Sequence, residues 1–226
     1  MKVMILAAGR GERMRPLTDH APKPLLRVGE KTIIEHTINQ LVSAGFNDII
    51  INHAYLGELI EEYLGNGHRY GATISYSPEG TQGLETAGGI INALPLLGED
   101  VFLVVNGDIA TNFPFAELKN IIVDLAHIVL VDNPEHHRLG DFCLDTLAKV
   151  SLNCAEKFTF SGIGLYHPEL FSNIPRGSRK LGHLLREAIV NQRVSGQHFS
   201  GFWMDIGTPE RLQELDFLYT TRKLHD

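Results

Sequence analysis

The sequence has few cysteines and no long apolar segment. Only two of its 226 residues are cysteines, Cys143 and Cys154, too few for a zinc site or for the disulfide framework of a small secreted protein. No stretch approaches the roughly 20 apolar residues of a membrane-spanning helix. The apolar start, residues 3–8, is too short for a signal peptide. These absences favour a protein of the reducing cytoplasm without a membrane partner.

The sequence also lacks an excess of positive charge. Its 20 lysines and arginines stand against 27 aspartates and glutamates, which gives a formal net charge of −7. No general basic field would attract a phosphate backbone, so a nucleic-acid partner is not expected. The hydrophobic share of 43% excludes extended disorder. A small anionic ligand stays compatible with this composition, because it needs only a few well-placed cations.

Short apolar runs alternate with helical patterns along the chain, which predicts an α/β fold with a mostly parallel sheet covered by helices. The predicted strands are residues 3–6, 48–52, 73–76, 101–105, 126–131, 159–166 and 194–199. The predicted helices are residues 32–44, 56–64, 86–94, 181–191 and 209–224, with a proline or glycine closing the helix at 86–94. Residues 142–152 indicate a small antiparallel excursion. No linker or repeat interrupts the chain, so a single domain over residues 1–226 is expected.

The first predicted strand runs directly into a glycine-rich loop, Gly9-Arg10-Gly11-Glu12-Arg13. Glycines at this place let backbone N–H groups approach phosphate oxygens without a Cβ in the way. The dinucleotide fingerprint would need a third glycine where this chain has Met14, and the Walker pattern of P-loop proteins is absent. The loop therefore fits neither common template, and by itself it is also compatible with a plain turn that carries solvated cations.

A lysine held between two prolines follows the loop, in Pro22-Lys23-Pro24-Leu25. The prolines restrict the local backbone, so the ammonium group would project from a stiff segment. A phosphate chain over the glycine loop would then meet both guanidinium and ammonium groups. Lys23 therefore favours phosphate binding over a surface turn.

Residues 6–18 together with Pro22-Lys23-Pro24-Leu25 resemble the signature of the sugar-phosphate nucleotidyltransferases. The resemblance implies a Rossmann-like three-layer α/β/α fold, with a nucleoside triphosphate on the glycine loop. It implies catalytic contacts from Arg13 and Lys23 to the phosphates. The nucleotide-binding residues implied are Leu6, Ala7, Ala8, Gly9, Gly11, Glu12, Arg13, Lys23, Glu79 and Gly80.

Two aspartates are candidate ligands of Mg²⁺. Asp108 follows a predicted central strand, where ligands bind in open α/β sheets, and Asp205 precedes the last predicted helix. Mg²⁺ takes one or two protein carboxylates together with substrate phosphates. Each aspartate taken alone is more typical of a turn or a helix cap than of a metal ligand. The family resemblance favours Mg²⁺ at both, because family metal ligands lie in Asn-Gly-Asp and Trp-x-Asp-x-Gly-Thr segments.

For the sugar phosphate the resemblance implies Asn106, Gly140, Asp141, Glu156 and Lys180. Two positions depart from the family pattern. Glu85 stands where the family's Leu-Gly-Thr-Ala-Gly segment has glycine, and Phe158 stands where many members have proline after Glu-Lys. His136 and His137 are interpreted as solvated loop residues.

A finer resemblance, carried by residues 51–57, 76–80, 84–89 and 131–137, implies UTP and N-acetylmuramate 1-phosphate as the substrates. Arg138 and Lys180 are candidate partners for the lactyl carboxylate of that sugar. GTP with mannose 1-phosphate is the alternative pair, and a non-catalytic nucleotide-sensing subunit is the alternative class. The expected domain has a nucleotide half, about 1–110, and a sugar-phosphate half, about 111–226, in a monomer or a small homo-oligomer.

Overall fold

A twisted sheet with helices on both faces forms the centre of the computed structural model, which describes residues 1–80, 83–172 and 174–221. The strands are β1 (Val3–Leu6), β2 (Arg27–Val28), β3 (Lys31–Thr32), β4 (Asp48–His53), β5 (Thr73–Pro78), β6 (Phe102–Asn106), β7 (Ile109–Thr111), β8 (Ala126–Val131), β9 (Cys143–Leu144), β10 (Val150–Ser151), β11 (Thr159–Tyr166), β12 (Val194–Phe199) and β13 (Trp203–Asp205). The α-helices are α1 (Ile33–Ser43), α2 (Gly57–Leu64), α3 (Glu85–Leu97), α4 (Leu181–Val190) and α5 (Pro209–Thr220).

The central sheet has the strand order β12-β8-β11-β6-β1-β4-β5. β1 lies parallel to both β4 and β6, with Ile5 opposite Ile51 on one side and Val105 on the other. β11 runs antiparallel to both of its neighbours, β6 and β8. The prediction of a mostly parallel sheet is therefore confirmed, with one inverted strand in the middle of the order.

Each face of the sheet is covered by helices. Residues of α3 and α4 pack with Met4 and Phe102 on one face, and residues of α1 and α2 pack with Ile5 and Val105 on the other. Because neighbouring side chains of a strand point to opposite faces, a strand buried on both faces needs an unbroken apolar run. The three-layer arrangement expected from the sequence is confirmed.

The helix predicted at residues 86–94 is longer than expected. α3 contains Pro95 and ends at Leu97, before Gly98, so the prediction that proline stops this helix is wrong. A proline removes one backbone donor from the helix, so Pro95 costs α3 the one bond to the Ile91 carbonyl, and the helix continues for two more residues. The predicted end of the terminal helix, Leu224, lies outside the described residues.

The predicted antiparallel excursion is confirmed by β9 and β10, which pair antiparallel. A disulfide bond joins Cys143, in β9, to Cys154, just beyond β10. The cysteine count predicted no such bond, and it is at odds with the expected reducing setting, because disulfides are rare in cytosolic proteins. Across the described ranges, no helix combines the length and the apolar character that a membrane crossing requires.

Candidate active site

A cleft follows the carboxyl ends of β1, β4 and β6, and it consists of four adjoining cavities. We name them after characteristic residues: the loop cavity beside Gly9 (about 510 Å³), the Glu79 cavity (about 370 Å³), the Lys180 cavity (about 310 Å³) and the Asp205 cavity (about 290 Å³). Thr86 lines the first three. Asn106 joins the loop cavity to the Lys180 and Asp205 cavities. The cleft is therefore continuous.

The glycine loop is built so that its backbone faces the loop cavity. Gly11 has φ +65°, and a Cβ added there would lie 3.0 Å from the methyl group of Thr18. Thr18 Oγ1 donates a hydrogen bond to the Gly11 carbonyl (2.8 Å). A Cβ added at Gly9 would meet no atom within 4 Å. Gly11 therefore serves the turn, whereas Gly9 leaves open space for a ligand.

Most of the predicted nucleotide residues surround this space. The loop cavity is lined, among others, by Leu6, Ala7, Gly9, Gly11, Glu12, Arg13, Lys23, Asn106 and Asp108. Ala8 and Glu79 line the neighbouring Glu79 cavity. Gly80 lies next to Glu79 in the chain but lines none of the four cavities.

Lys23 and Asp108 form an ion pair across the loop cavity. Lys23 is buried, and its Nζ donates to Asp108 Oδ2 at 2.7 Å. A short 3₁₀ turn, Lys23–Leu25, presents the lysine, with extended backbone at Pro22 before it. The pairing stabilises a buried ammonium that would otherwise be costly. It also places the predicted phosphate-binding cation beside a predicted metal ligand.

Strand pairing brings the two predicted metal ligands together. β7, which follows Asp108, pairs antiparallel with β13, so that Asp205 lies opposite Ile109. The Ile206 N–H donates to the Asp108 carbonyl at 2.7 Å. Both aspartates line the Asp205 cavity. The sequence separates them widely, and this pairing makes them neighbours.

Asp205 has two cationic or polar neighbours that the sequence analysis missed. Its Oδ1 accepts a hydrogen bond from Arg211 Nη1 and lies 2.9 Å from His136 Nε2. His137 Nε2 lies 3.2 Å from Asp141 Oδ1. Both histidines are solvent-accessible loop residues, as interpreted, but each also has a carboxylate partner that the interpretation did not include. His137 and Asp141 are four residues apart, a spacing that the sequence shows. His136 and Asp205 lie far apart along the chain, so no local pattern reveals that contact, although Arg211 could have been noticed one turn into the helix that follows Asp205.

Arg13 reaches the same place from the glycine loop. A Cβ added at Gly207 would lie 3.0 Å from Asp205 Oδ2 and 3.1 Å from Arg13 Nη2. It would also crowd Arg211 Nη2. The absence of a side chain at Gly207 therefore lets two guanidinium groups approach the Asp205 carboxylate, which concentrates positive charge at the floor of the cleft.

The arrangement fits Mg²⁺. Asp108 and Asp205 offer carboxylate oxygens to one cavity, and such hard oxygen donors are those that Mg²⁺ prefers. No group of three or more histidine, cysteine, aspartate or glutamate side chains suited to a metal occurs among the residues that the structure describes. Two carboxylates are sufficient where substrate phosphates supply further oxygens.

The Glu79 cavity is organised by a hydrogen-bonded chain. The Ala7 N–H donates to Asn52 Oδ1 (2.9 Å), Asn52 Nδ2 donates to Glu79 Oε1 (2.5 Å), and the Leu84 N–H donates to Glu79 Oε2 (2.6 Å). Burial raises the pKa of Glu79, and the hydrogen bonds from Asn52 and Leu84 oppose that rise. By contrast, His53 is buried with its Nε2 2.6 Å from Glu61 Oε1, and it lines none of the four cavities.

Glu85 has φ +58°, the left-handed region that glycine adopts without strain. The family's glycine at this position therefore has a conformational basis. In this chain a glutamate accepts the same backbone conformation, and its side chain borders both the Glu79 cavity and the Lys180 cavity.

The Lys180 cavity contains three of the predicted sugar-phosphate residues, namely Asn106, Asp141 and Lys180. The other two, Gly140 and Glu156, lie outside the four cavities. Gly140 has φ +60°, and a Cβ there would lie 2.8 Å from the Lys157 backbone. Glycine is therefore needed at position 140 because the backbone of Lys157 packs closely against it. Arg186 also lines the Lys180 cavity, and the sequence analysis did not select it.

Comparisons with known proteins show the family of this chain. The nucleotidyl transferase family model matches residues 2–222. A curated N-acetylmuramate alpha-1-phosphate uridylyltransferase from Neisseria meningitidis is 51% identical, over 96% of this chain and 98% of its own. One from Caulobacter vibrioides is 33% identical, over 92% of each chain. A mannose-1-phosphate guanyltransferase from Gibberella zeae is 30% identical, over 98% of this chain but 63% of its own length.

A solved structure from Bacillus anthracis, assigned as a glucose-1-phosphate thymidylyltransferase, matches the fold with a TM-score of 0.86. It is 23% identical and covers 100% of this chain and 97% of its own. At that identity the likeness concerns the fold alone. Together with the family match over nearly the whole chain, the cleft geometry leads to one conclusion: this chain belongs to the nucleotidyl transferase family.

Proposed function

We propose that this chain transfers the uridylyl group of UTP to N-acetyl-α-D-muramate 1-phosphate, forming UDP-N-acetylmuramate and pyrophosphate. The observation that carries the catalytic part is the convergence of Arg13, Lys23, Asp108 and Asp205 on one continuous cleft. The choice of substrates rests on the similarity to the Neisseria uridylyltransferase.

The chemistry needs an anionic nucleophile and charge neutralisation. A phosphate monoester has a second pKa near about 6, so the sugar phosphate oxygen is already ionised at neutral pH. It attacks the α-phosphorus of UTP, and the bond to the β-phosphate oxygen breaks in line as pyrophosphate leaves. A nucleophile–base pair is therefore not required, and none is assigned.

The side chains of the cleft position the phosphates and balance their charge. Backbone N–H groups near Gly9 bind phosphate oxygens, because Gly9 lines the loop cavity and a Cβ there would meet only open space. Arg13 and Lys23 stabilise the negative charge that grows on the transferred and departing phosphates. Asp108 and Asp205 would hold Mg²⁺, which when bound supplies positive charge to the phosphate oxygens of both substrates.

The Glu79 cavity is the proposed place of the base. The Glu79 carboxylate is held in place there by hydrogen bonds from Asn52 and the Leu84 N–H, and Asn52 is itself held by the Ala7 N–H. Uracil has an N–H group that can donate a hydrogen bond to such a carboxylate. The Lys180 cavity is the proposed place of the sugar, because it opens from the phosphate space at Asn106.

A pyrophosphate-release screen tests this function directly. UTP and GTP are each combined with N-acetylmuramate 1-phosphate and with mannose 1-phosphate, with and without Mg²⁺. We expect Mg²⁺-dependent release for UTP with the muramate substrate. Turnover of GTP with mannose 1-phosphate but not of UTP would overturn the substrate assignment, and no turnover of any pair would favour a nucleotide-sensing subunit.

The proposal has a biological setting. Muramate is a sugar of peptidoglycan, so the activity would belong to cell-wall recycling in the cytoplasm. We propose one catalytic domain over residues 1–226, with the nucleotide bound mainly by residues 1–110 and the sugar phosphate mainly by residues 111–226, working as a monomer or a small homo-oligomer. Sedimentation analysis of the purified protein tests the assembly, and a larger complex would contradict it.

A further inference from the structure

Two cations border the Lys180 cavity without a hydrogen bond or ion pair of their own among the described residues. They are Lys180, immediately before α4, and Arg186, within α4. The Arg186 guanidinium lies 5.4 Å from the centre of the Phe142 ring. By contrast, Lys23, which lines the loop cavity, is paired with Asp108.

The backbone around these cations is anchored. The Arg179 N–H donates to the Leu84 carbonyl (3.0 Å), and the Arg179 carbonyl accepts from the N–H groups of Ala87 (2.9 Å) and Gly88 (3.2 Å). The chain before α4 is thereby bound to the first turn of α3. Lys180 follows directly, so its position at the cavity is set by these bonds.

The wall of the cavity combines this charge with apolar surface. Phe142, Phe160 and Leu185 line it beside the two cations. Two acids, Asp141 and Glu85, also line it. Asp141 is occupied, because its Oδ2 accepts from the Phe160 N–H (2.9 Å) and its Oδ1 lies beside His137. Glu85 makes no hydrogen bond or ion pair with a described residue, so one such acid stands against two such cations. An anion with a small apolar group attached would therefore find both a cation and an apolar contact here.

We propose that Arg186, assisted by Lys180, binds the lactyl carboxylate of N-acetylmuramate 1-phosphate and so selects this sugar. The inference rests on the proposed function. The lactyl ether carries one carboxylate and one methyl group, which match a guanidinium and the phenyl rings of this cavity. Arginine suits a carboxylate because its planar fork makes two parallel hydrogen bonds. Arg138, the other candidate from the sequence, lies outside the four cavities, and its Nε donates to the Glu135 carbonyl.

The test compares two sugars that differ only in the lactyl group. N-acetylmuramate 1-phosphate is the substrate, and N-acetylglucosamine 1-phosphate is used as a competitive inhibitor, so that its binding is measured whether or not it reacts. Wild-type protein is assayed first with UTP. Failure of the wild type to use the muramate substrate would refute the proposed function itself, before any variant is compared.

Arg186→Met is the informative variant, because methionine keeps an apolar chain against Phe142 and removes the charge. We expect its KM for the muramate substrate to rise by about 10-fold to 100-fold, the effect of losing a hydrogen bond to a charged group. The inhibition constant of the glucosamine compound and the KM for UTP should stay unchanged. Arg186→Lys should recover part of the loss, and Lys180→Met should give a smaller rise.

Arg138→Met is the matched control, since it removes an arginine from a loop of the same half and should leave every constant unchanged. Two results would overturn the inference while leaving the proposed function intact. One is an unchanged KM for the muramate substrate in Arg186→Met. The other is an equal loss of affinity for both sugars, which would mean that Arg186 maintains the structure of the cavity and does not bind the lactyl carboxylate.

Discussion

The two ends of the cleft differ in how far their polar side chains are already paired. At the nucleotide end, Lys23 is paired with Asp108, and Asn52 bridges the Ala7 N–H and Glu79. At the sugar end, Lys180 and Arg186 border the cavity with no hydrogen bond or ion pair within the described residues. The buried lysine and the carboxylate of the first end are therefore paired before any ligand arrives, although Arg10 and Arg13 of its loop cavity make no hydrogen bond or ion pair with a described residue. At the second end, both cations are left for a ligand to pair.

The difference follows from how each end is assembled. The nucleotide end comes from short segments directly after parallel strands, which the sheet holds in register. The sugar end comes from α4, the β9–β10 hairpin and β11, which are joined by side-chain packing and by a few isolated backbone hydrogen bonds such as those between Phe142 and Phe158. A preorganised end favours electrostatic catalysis, and an incompletely paired end favours discrimination between substrates. The following changes test this contrast, from the largest expected effect to the smallest.

Asp108→Asn should remove a carboxylate that lines both the loop cavity and the Asp205 cavity. We expect a fall in kcat of about 10²-fold to 10³-fold, the range measured when a preorganised charge-stabilising group is lost. The change weakens a metal ligand and leaves the buried Lys23 without its carboxylate partner. Pyrophosphate release measures the effect. Asp132→Asn is the control, because Asp132 is exposed and pairs with His198; activity near wild type in Asp108→Asn would contradict the metal assignment.

Gly11→Ala and Gly9→Ala should separate folding from binding within the nucleotide end. Alanine at Gly11 must adopt φ +65° beside Thr18, which should lower the free energy of unfolding by about 1–2 kcal/mol. Alanine at Gly9 meets no atom, so stability should hold while the KM for UTP rises by about tenfold, or about 1.4 kcal/mol. Urea unfolding and kinetics measure the pair, and the reverse pattern would refute this division of roles.

Glu85→Gly should relieve strain at the border of the two ends. A non-glycine residue in the left-handed region costs about 1–3 kcal/mol, and the greater freedom of glycine in the unfolded chain offsets part of that gain. We therefore expect the free energy of unfolding to rise by about 0.5–1 kcal/mol. Glu85→Gln is the matched control, because it removes the charge but keeps φ +58°. An equal gain in both variants would point to charge rather than strain.

Glu79→Gln should change how stability depends on pH. Burial raises the pKa of Glu79 in the folded protein, so the folded state holds the proton more tightly than the unfolded state. The stability that the protonated Glu79 contributes is therefore lost as the pH rises. The loss begins near pH 4, about the ordinary pKa of glutamate, and is complete above the raised pKa of the folded state. Relative to wild type, Glu79→Gln should gain stability across that window in urea unfolding. A difference that is constant with pH would contradict the expected shift.

Much of the nucleotide end could be predicted because it is local in sequence. Gly9, Gly11 and Arg13 stand within one loop after β1, and the prolines around Lys23 mark a stiff turn. The apolar runs of β4 and β6 likewise indicated strands buried on both faces. The partner of Lys23 was not predictable in this way, because Asp108 approaches it only when β1 and β6 pair.

The sugar end was harder to predict because its contacts are distant in sequence. His136 was interpreted as solvated, yet it lies beside Asp205, and Arg186 carries no motif of its own. Pro95 misled the helix prediction for a different reason: a proline removes one hydrogen bond without necessarily ending the helix, and α3 continues past it to Leu97. The disulfide between Cys143 and Cys154 depends on the β9–β10 hairpin, which sets the two residues close together.

The sequence alone determined the α/β class, the glycine loop and the kinds of charge available, because periodicity, backbone freedom and side-chain chemistry are local properties. Only the tertiary structure decided which charges are paired. Asp108 and Asp205 become neighbours through the β7–β13 pair, and Lys180 and Arg186 face a shared cavity through the packing of α4. Pairing depends on distance in space, and that distance is set by strand register and helix packing rather than by separation along the chain.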